Sequence, residues 1–564
     1  MSTNNKDLAR DSNYNKAGVG WTAYLVALPA FVFLFIFKII PFFNSLVLPL
    51  REFDAGDGIK AVAWAGMKNF KSLFGTGWFP KALGNTILFK LEFILLSCLT
   101  AFVLTLVLGF IRAKFWQRFF SAIFLLPYFI PAAVFGYFTL YAIENAGLFF
   151  LFSAQSMADP GIFRLVYPIL EVIRNLGIPV IMILGAINSK RESDDGTGGF
   201  LHIQLIPALK ALGLFALVQL SALLTLDYEI FSYLAAPGLH EGIGTIDAFI
   251  FRAGYETMDF GAASAAWLIR FIIQLGLSVL AFSLIKKHMA PSFFGTGIKV
   301  EKTKKRWGTL AGVVAGLFLL EIYLLFTTAP LAISVIETFQ GSAPAAGSLI
   351  SGLPLSRAFA VYLPAIAFAV IINAVFTILL AYPLTVKRLS GRRLYTMALI
   401  VVMNLGIGGV HEYLFFKGRG MLNTIWPYLI MGFFSLINVF VLKEIYNTKY
   451  TSIEDRTVNG IEGDAGSFAR RFLPKVLKPV FGLSLLQFAL MWNSVYPGLL
   501  IYQANPDKFS PALMFNNITE SMQGHGITLE VLKLAAIVSI PGIIILLLLM
   551  IFSGHEVFIG QARE

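Results

Sequence analysis

The sequence predicts an all-α polytopic membrane protein with about twelve spanning helices, arranged as two halves of six. Three observations predict it. Mean hydropathy is +0.75, and 57% of the 564 residues are hydrophobic against 13% charged, which excludes an ordinary soluble domain. Apolar runs of the ~20 residues needed to cross a bilayer recur along nearly the whole chain. Lysine and arginine gather in the turns between alternate runs, as the positive-inside rule requires of cytoplasmic loops. The formal net charge of +12 resides mainly in those turns, so it is not a nucleic-acid footprint. The single cysteine, Cys98, lies inside an apolar run, forms no internal disulfide and reads as a small core residue.

The first span covers about residues 21–40. It follows Lys6, Arg10 and Lys16 without a small-residue cleavage site, so it reads as a retained span with a cytoplasmic amino terminus. A long polar loop follows, with WAGMKNFKSLF at 64–74 and LGNT at 83–86. The second span, about 85–111, ends at the basic turn Arg112, Lys114 and Arg118. The third, about 119–141, leads to IENAGLF at 143–149, and the fourth covers about 166–187. A hydrophilic loop occupies 189–210 and holds Asp195, Gly196, Phe200 and Pro207. Spans five and six, about 205–226 and 261–285, flank an external loop at 234–267. The basic stretch from Lys286 to Arg306 then joins the halves. Six spans return the chain to its starting side, so the second half repeats the plan in the same orientation, as a parallel repeat about an axis along the membrane normal. Spans seven to ten cover about 308–333, 359–386, 394–410 and the run up to 441. A polar loop follows at 454–479, then spans eleven and twelve at about 480–501 and 532–552.

The loop 454–479, EDRTVNGIEGDAGSFARRFLPKVLKP, orders Glu454, Asn459, Gly460, Phe468, Phe472, Pro474 and Pro479. Gly460 permits a turn with positive φ, Phe468 and Phe472 share one helical face, and Pro474 opens the next span. The loop resembles the EAA loop of ABC-importer permeases, with Asp455 and Arg456 in place of the pattern's two alanines and Asn459 in place of its aspartate. Weaker motifs in order support the resemblance: WAGMKNFKSLF with LGNT, the 234–267 loop, AYPLTVKRLSGRR at 381–393, Trp492-Asn493 and the tail VFIGQARE. Together they are similar to two permease subunits of a maltose-type carbohydrate importer fused in one chain. The halves would then be 1–285 and 308–564, with 286–307 as a cytoplasmic linker.

The resemblance implies uptake of an oligosaccharide or related polyhydroxylated solute by alternating access, in the plasma or inner membrane with both termini cytoplasmic. It implies a cytoplasmic ABC ATPase dimer that binds ATP and magnesium, and an external solute-binding protein that delivers the sugar. The chain itself has no G-x-x-x-x-G-K-[ST] loop, so it is read as a transport subunit, not an enzyme, with no cofactor of its own. His411-Glu412 lacks the second histidine of a zinc motif. The implied ATPase-coupling residues are Glu454, Asn459, Gly460, Phe468 and Phe472, with Asp195 and Gly196 in a degenerate first copy of the loop. The alternative is a secondary transporter of the major-facilitator type. KRLSGRR partly matches that family's basic loop, but Arg388 occupies its aspartate position.

Charges within spans are costly, ~2.5–3.5 kcal/mol near the centre on insertion scales, and tend to face a cavity or a partner. Most fall in the first half: Glu92, Glu171, Arg174, Asp227, Glu229 and Arg270. The second half offers Glu321 and the polar Asn373, Asn404 and Asn493. The family binds sugar near the end of the fifth core span, so the resemblance points to Gln219, Ser221, Thr225, Asp227, Tyr228 and Glu229. Arg174, Arg270 and Tyr137 complete the expected path. Two arginines admit an acidic cargo. Equally, Arg174 lies three positions after Glu171, and a local ion pair explains both.

Overall fold

Apolar runs become long helices here, and prolines decide where those helices bend. The computed structural model describes residues 19–53, 61–75, 77–111, 114–146, 159–192, 198–235, 240–288, 310–321, 323, 354–386, 389–405, 410–447, 465–494, 506–521 and 529–553. The first half contains α1 (Val19–Leu34), α2 (Ile40–Ser45), a short antiparallel pair β1 (Arg51–Phe53) and β2 (Ala61–Trp64), and α3 (Lys68–Gly75). It continues with α4 (Trp78–Leu108), α5 (Lys114–Phe129), α6 (Ala132–Ala146), α7 (Pro160–Asn175) and α8 (Gly177–Glu192). It ends with α9 (Ile206–Ser221), α10 (Tyr228–Leu234), α11 (Ile246–Phe251) and α12 (Phe260–His288). The second half contains α13 (Leu310–Glu321), α14 (Leu355–Thr385), α15 (Arg392–Met403), α16 (Val410–Gly418), α17 (Trp426–Gly432) and α18 (Leu436–Ile445). Then come α19 (Leu473–Asn493), α20 (Pro511–Ser521) and α21 (Leu529–Leu548).

Among the described residues, eight helices are long and apolar enough to cross a membrane, or ten if each bent pair counts as one span. The bent pairs stand where the sequence placed the third and fourth spans. Helices α5 and α6 meet at 89°, and α7 and α8 at 50°. Pro131 explains the first bend, because the residue before a proline is pushed out of helical conformation. Pro179 explains the second: its ring clashes with the carbonyl four residues earlier, at Asn175, where α7 ends. The second bend nests tightly against α5. A Cβ on Gly177 would lie 2.6 Å from the Phe124 carbonyl oxygen.

Three π-helical turns follow from the same rule. They occupy Phe35–Ile39, Leu201–Leu205 and Phe468–Phe472, and Pro41, Pro207 and Pro474 follow each by two positions. In each case the carbonyl that the proline cannot bond, four residues back, belongs to the middle residue of the turn. Widening the turn relieves the clash without breaking the helix.

The halves repeat one plan. Helices α4 and α14 are both 31 residues long. Each is followed later by a π-helical turn, a proline and a further helix: Leu201–Leu205, Pro207 and α9 in one half, Phe468–Phe472, Pro474 and α19 in the other. The first span of each half packs on the other half. Tyr24 of α1 donates to the Ser390 carbonyl at 2.7 Å and meets the Tyr395 ring at 5.5 Å, and Phe33 meets Phe376 at 5.5 Å. Reciprocally, Leu320 and Tyr323 are buried with Leu108, Phe120 and Phe124 of the first half. The Tyr323 hydroxyl donates to the carbonyls of Phe124 and Ile173 at 3.3 and 3.1 Å. Leu95, Leu99 and Ile371 are exposed on the long helices, as lipid-facing positions are.

Candidate functional site

Two charged groups of the first half, Arg174 with Asp227 and Arg270 with Asp247, form a polar layer that meets one segment of chain at Thr225 and Asp227. That segment lies between α9 and α10, where the chain leaves helical geometry at Ala222 and resumes it at Tyr228. Asp227 caps α10, with Oδ1 accepting from the Ile230 N–H at 3.3 Å. Its Oδ2 accepts from Nη1 of Arg174, at the last turn of α7. The structure therefore corrects the local pairing of Arg174 with Glu171: the partner lies on another element, next to the bend between α7 and α8. Thr225 joins a second group. Nη2 of Arg270 donates to its hydroxyl at 3.0 Å, and so does the Gln274 amide at 3.0 Å. Nη1 of Arg270 pairs with Asp247 in the first turn of α11. Neither arginine pairs with Glu171 or Glu92.

Lys90 of α4 completes the layer. Its ammonium lies 4.9 Å from the Phe93 ring centroid and within electrostatic reach of Glu171, Asp227 and Asp247. Lys90, Asp247 and Gln274 were missed by the sequence reading. Lys90 had a visible signal, as a lysine in the middle of a spanning run. Asp247 falls in the 234–267 loop, outside any span, where an acid gives no signal. Three buried atoms of the layer, Glu171 Oε2, Arg174 Nε and Asp247 Oδ2, have no hydrogen-bond partner among the described residues.

The other path candidates are placed as follows. Gln219 is half-buried near the end of α9, and Ser221 donates back to the Val218 carbonyl at 2.6 Å. The Tyr228 ring packs on Phe251 at 5.4 Å. Glu229 accepts from the Ser494 hydroxyl at 2.7 Å and so reaches the second half. Tyr137 is buried, with its ring edge-on to Phe515 at 5.9 Å. The second-half amides serve packing contacts. Asn373 donates to the Gly432 carbonyl at 3.1 Å, Asn404 accepts from Ser278 of α12 at 2.8 Å, and Asn493 donates to the Tyr128 carbonyl at 3.3 Å.

Glu454, Asn459, Gly460, Asp195 and Gly196 lie outside the described residues. Phe468 and Phe472 are described, and both turn inward. Their rings lie 5.1 and 5.3 Å from Tyr382, and Phe472 also meets Tyr446 at 4.9 Å. They fix the start of α19 to the ends of α14 and α18. The equivalent point of the first half is held by polar bonds. Gln204 donates to the Gly109 carbonyl at 3.3 Å, Arg191 donates to the same oxygen, and Gln117 donates to the Ile111 carbonyl at 2.6 Å. Both π-helical segments are thus tied to the end of the 31-residue helix of their own half.

Comparison with known proteins agrees with the resemblance. No family model matches the chain. It is 25% identical over 283 residues to the polygalacturonan/rhamnogalacturonan transport system permease protein YteP of Bacillus subtilis (strain 168), covering 47% of this chain and 87% of that protein. It is 25% identical over 287 residues to the probable ABC transporter permease protein YurN of the same organism, covering 47% of this chain and 95% of that one. A solved bacterial ABC transporter involved in import of the acidic polysaccharide alginate aligns with 50% of this chain and 98% of its own at 20% identity and a TM-score of 0.41. The chain has several apolar helices of membrane-spanning length, and about half of it is similar in sequence to permease proteins of ABC transporters.

Proposed function

We propose that this chain is two permease subunits of an ATP-driven importer fused into one, carrying an oligosaccharide or related polyhydroxylated solute into the cytoplasm. The observation that supports this best is the repeat. About half of the chain suffices to match nearly the whole of a single permease protein. Within the chain, two halves with equal 31-residue helices and matching proline-linked turns exchange their first spans. The division proposed is 1–285, 286–307 and 308–564. Alternating access would be rocking of one half against the other about the contacts Glu229–Ser494, Tyr128–Asn493 and Ser278–Asn404.

In this reading separate ATPase subunits bind ATP and magnesium and drive the motion through the segments before Pro207 and Pro474, in a cytoplasmic position. An external solute-binding protein delivers cargo. The polar layer around Asp227, Thr225 and Arg174 receives it. The relative named for polygalacturonan and rhamnogalacturonan transport, together with two arginines in the layer, favours an acidic oligosaccharide as the cargo. The direct experiment is affinity purification of the chain with its ATPases. ATP hydrolysis by the complex should rise when a solute-loaded binding protein is added. No association with any ABC ATPase would refute the proposal.

A further inference from the structure

Burying an arginine inside a membrane bundle is unfavourable unless something neutralises it. The first half holds two such arginines in its polar layer, and both are neutralised from within the chain: Arg174 by Asp227, Arg270 by Asp247. The two pairs share three features. Each acid sits at the start of a short helix, α10 or α11, rather than within a spanning helix. Each pair is neither sealed nor open: side-chain exposure is 9% and 22% for Arg174 and Asp227, and 18% for both Arg270 and Asp247. Each also leaves hydrogen-bonding capacity unspent. Arg174 Nε and Asp247 Oδ2 have no partner among the described residues. Arg174 holds Asp227 through Nη1, and the Nε edge of its fork is unused.

Resting on the reading that the cargo is an acidic oligosaccharide, we infer that Arg174 and Arg270 bind its carboxylates, and that Asp227 and Asp247 are internal stand-ins which occupy them while the path is empty. The exchange replaces one carboxylate by another, so neither guanidinium passes through a buried unpaired state. A carboxylate that meets one edge of a guanidinium bidentately accepts two charge-assisted hydrogen bonds, against the single one Asp227 accepts from Arg174. Both acids are partly exposed, so each has solvent to turn towards when displaced. Thr225 and Gln274 lie beside Arg270 and offer donors and acceptors to a sugar hydroxyl next to its carboxylate. Lys90 and Glu171 are buried as well, at 6% and 3%.

The test uses the full chain with its ATPases and binding protein in proteoliposomes. The half-saturating concentration is measured for a trimeric uronate and for its methyl ester, and the ratio of the two is the readout. Asp227→Asn and Asp247→Asn are each expected to shift the ratio towards the acid by about threefold or more, because the competitor is gone. Arg174→Gln and Arg270→Gln are expected to shift it towards the ester by about tenfold or more, because the charge-assisted bonds are lost. Arg174→Lys keeps the charge without the fork and is expected to fall between Arg174→Gln and the unmutated chain. It also serves where the glutamine variant fails to assemble, as Asp227→Glu does for the asparagine one, with a ratio closer to the unmutated chain. Ratios unchanged in every variant that assembles, or acid preference lost in the aspartate variants, would overturn the inference alone. Uptake of neither probe by the unmutated complex would overturn the cargo reading and the inference with it.

Discussion

Lys38 in the π-helical turn after α1 and Glu412 of α16 form an ion pair across 374 positions of sequence, with side chains 6% and 3% exposed. It joins the first span of one half to the body of the other. Glu412 follows His411, whose ring lies 4.5 Å from that of Trp267, so α12 is drawn into the same contact. Breaking a buried pair on one side leaves an uncompensated charge. Lys38→Met or Glu412→Gln should therefore each cost about 3–5 kcal/mol, and the double change Lys38→Met with Glu412→Met should cost much less. Denaturant unfolding of the purified chain in detergent measures this. Additive losses in the double variant would show that the two residues do not depend on each other.

Phe472 should matter more than Phe468 for holding the coupling segment. Phe472 is fully buried between Tyr382 and Tyr446, whereas Phe468 is only partly buried. Phe472→Ala should cost about 3–5 kcal/mol, and Phe468→Ala distinctly less. Thermal unfolding gives the ranking. Stimulation of ATP hydrolysis by loaded binding protein should fall in the same order, and a reversed order in both assays would contradict this placement.

Pro207→Ala and Pro474→Ala should convert the π-helical turns before them to α-helix, since the clash that widens the turn is removed. Each conversion changes the helical phase of the preceding segment relative to its span. Solute-stimulated ATP hydrolysis should drop several-fold while the assembled complex survives purification. Distances between spin labels placed before and after each turn would report the change in phase. Unaltered distances would show that the turns have another cause.

Gly542→Ala should disturb the contact between halves. A Cβ there would run into the Phe129 carbonyl oxygen at the bend between α5 and α6. That obstacle is backbone and cannot rotate away, so α21 must move or the bend must open. A lowered unfolding temperature with loss of uptake is expected. Full uptake in Gly542→Leu would contradict this packing.

The spans were legible because a long apolar run is a strong signal and little else in a chain produces it. The bends at Ile130 and Leu176 were not read, although Pro131 and Pro179 stand in plain view. Apolar composition continues through both breaks, and hydropathy does not register direction. Asp227 was singled out through the motif resemblance. Its pairing was not legible, because Arg174 is 53 positions away and the sequence offered the nearer Glu171. Lys90 was legible and overlooked. The inward orientation of Phe468 and Phe472 depends on Tyr382 and Tyr446, which no local pattern connects to them.

The central claim is that this chain moves its solute only when a partner ATPase drives it. Uptake of labelled oligosaccharide into proteoliposomes tests it most directly, comparing the full complex with internal or external ATP at its nucleotide sites against the chain alone under a proton or sodium gradient. The account predicts uptake with the complex and hydrolysable ATP, none with a non-hydrolysable analogue and none with the chain alone under either gradient. Gradient-driven accumulation by the chain alone would contradict it and identify a secondary transporter.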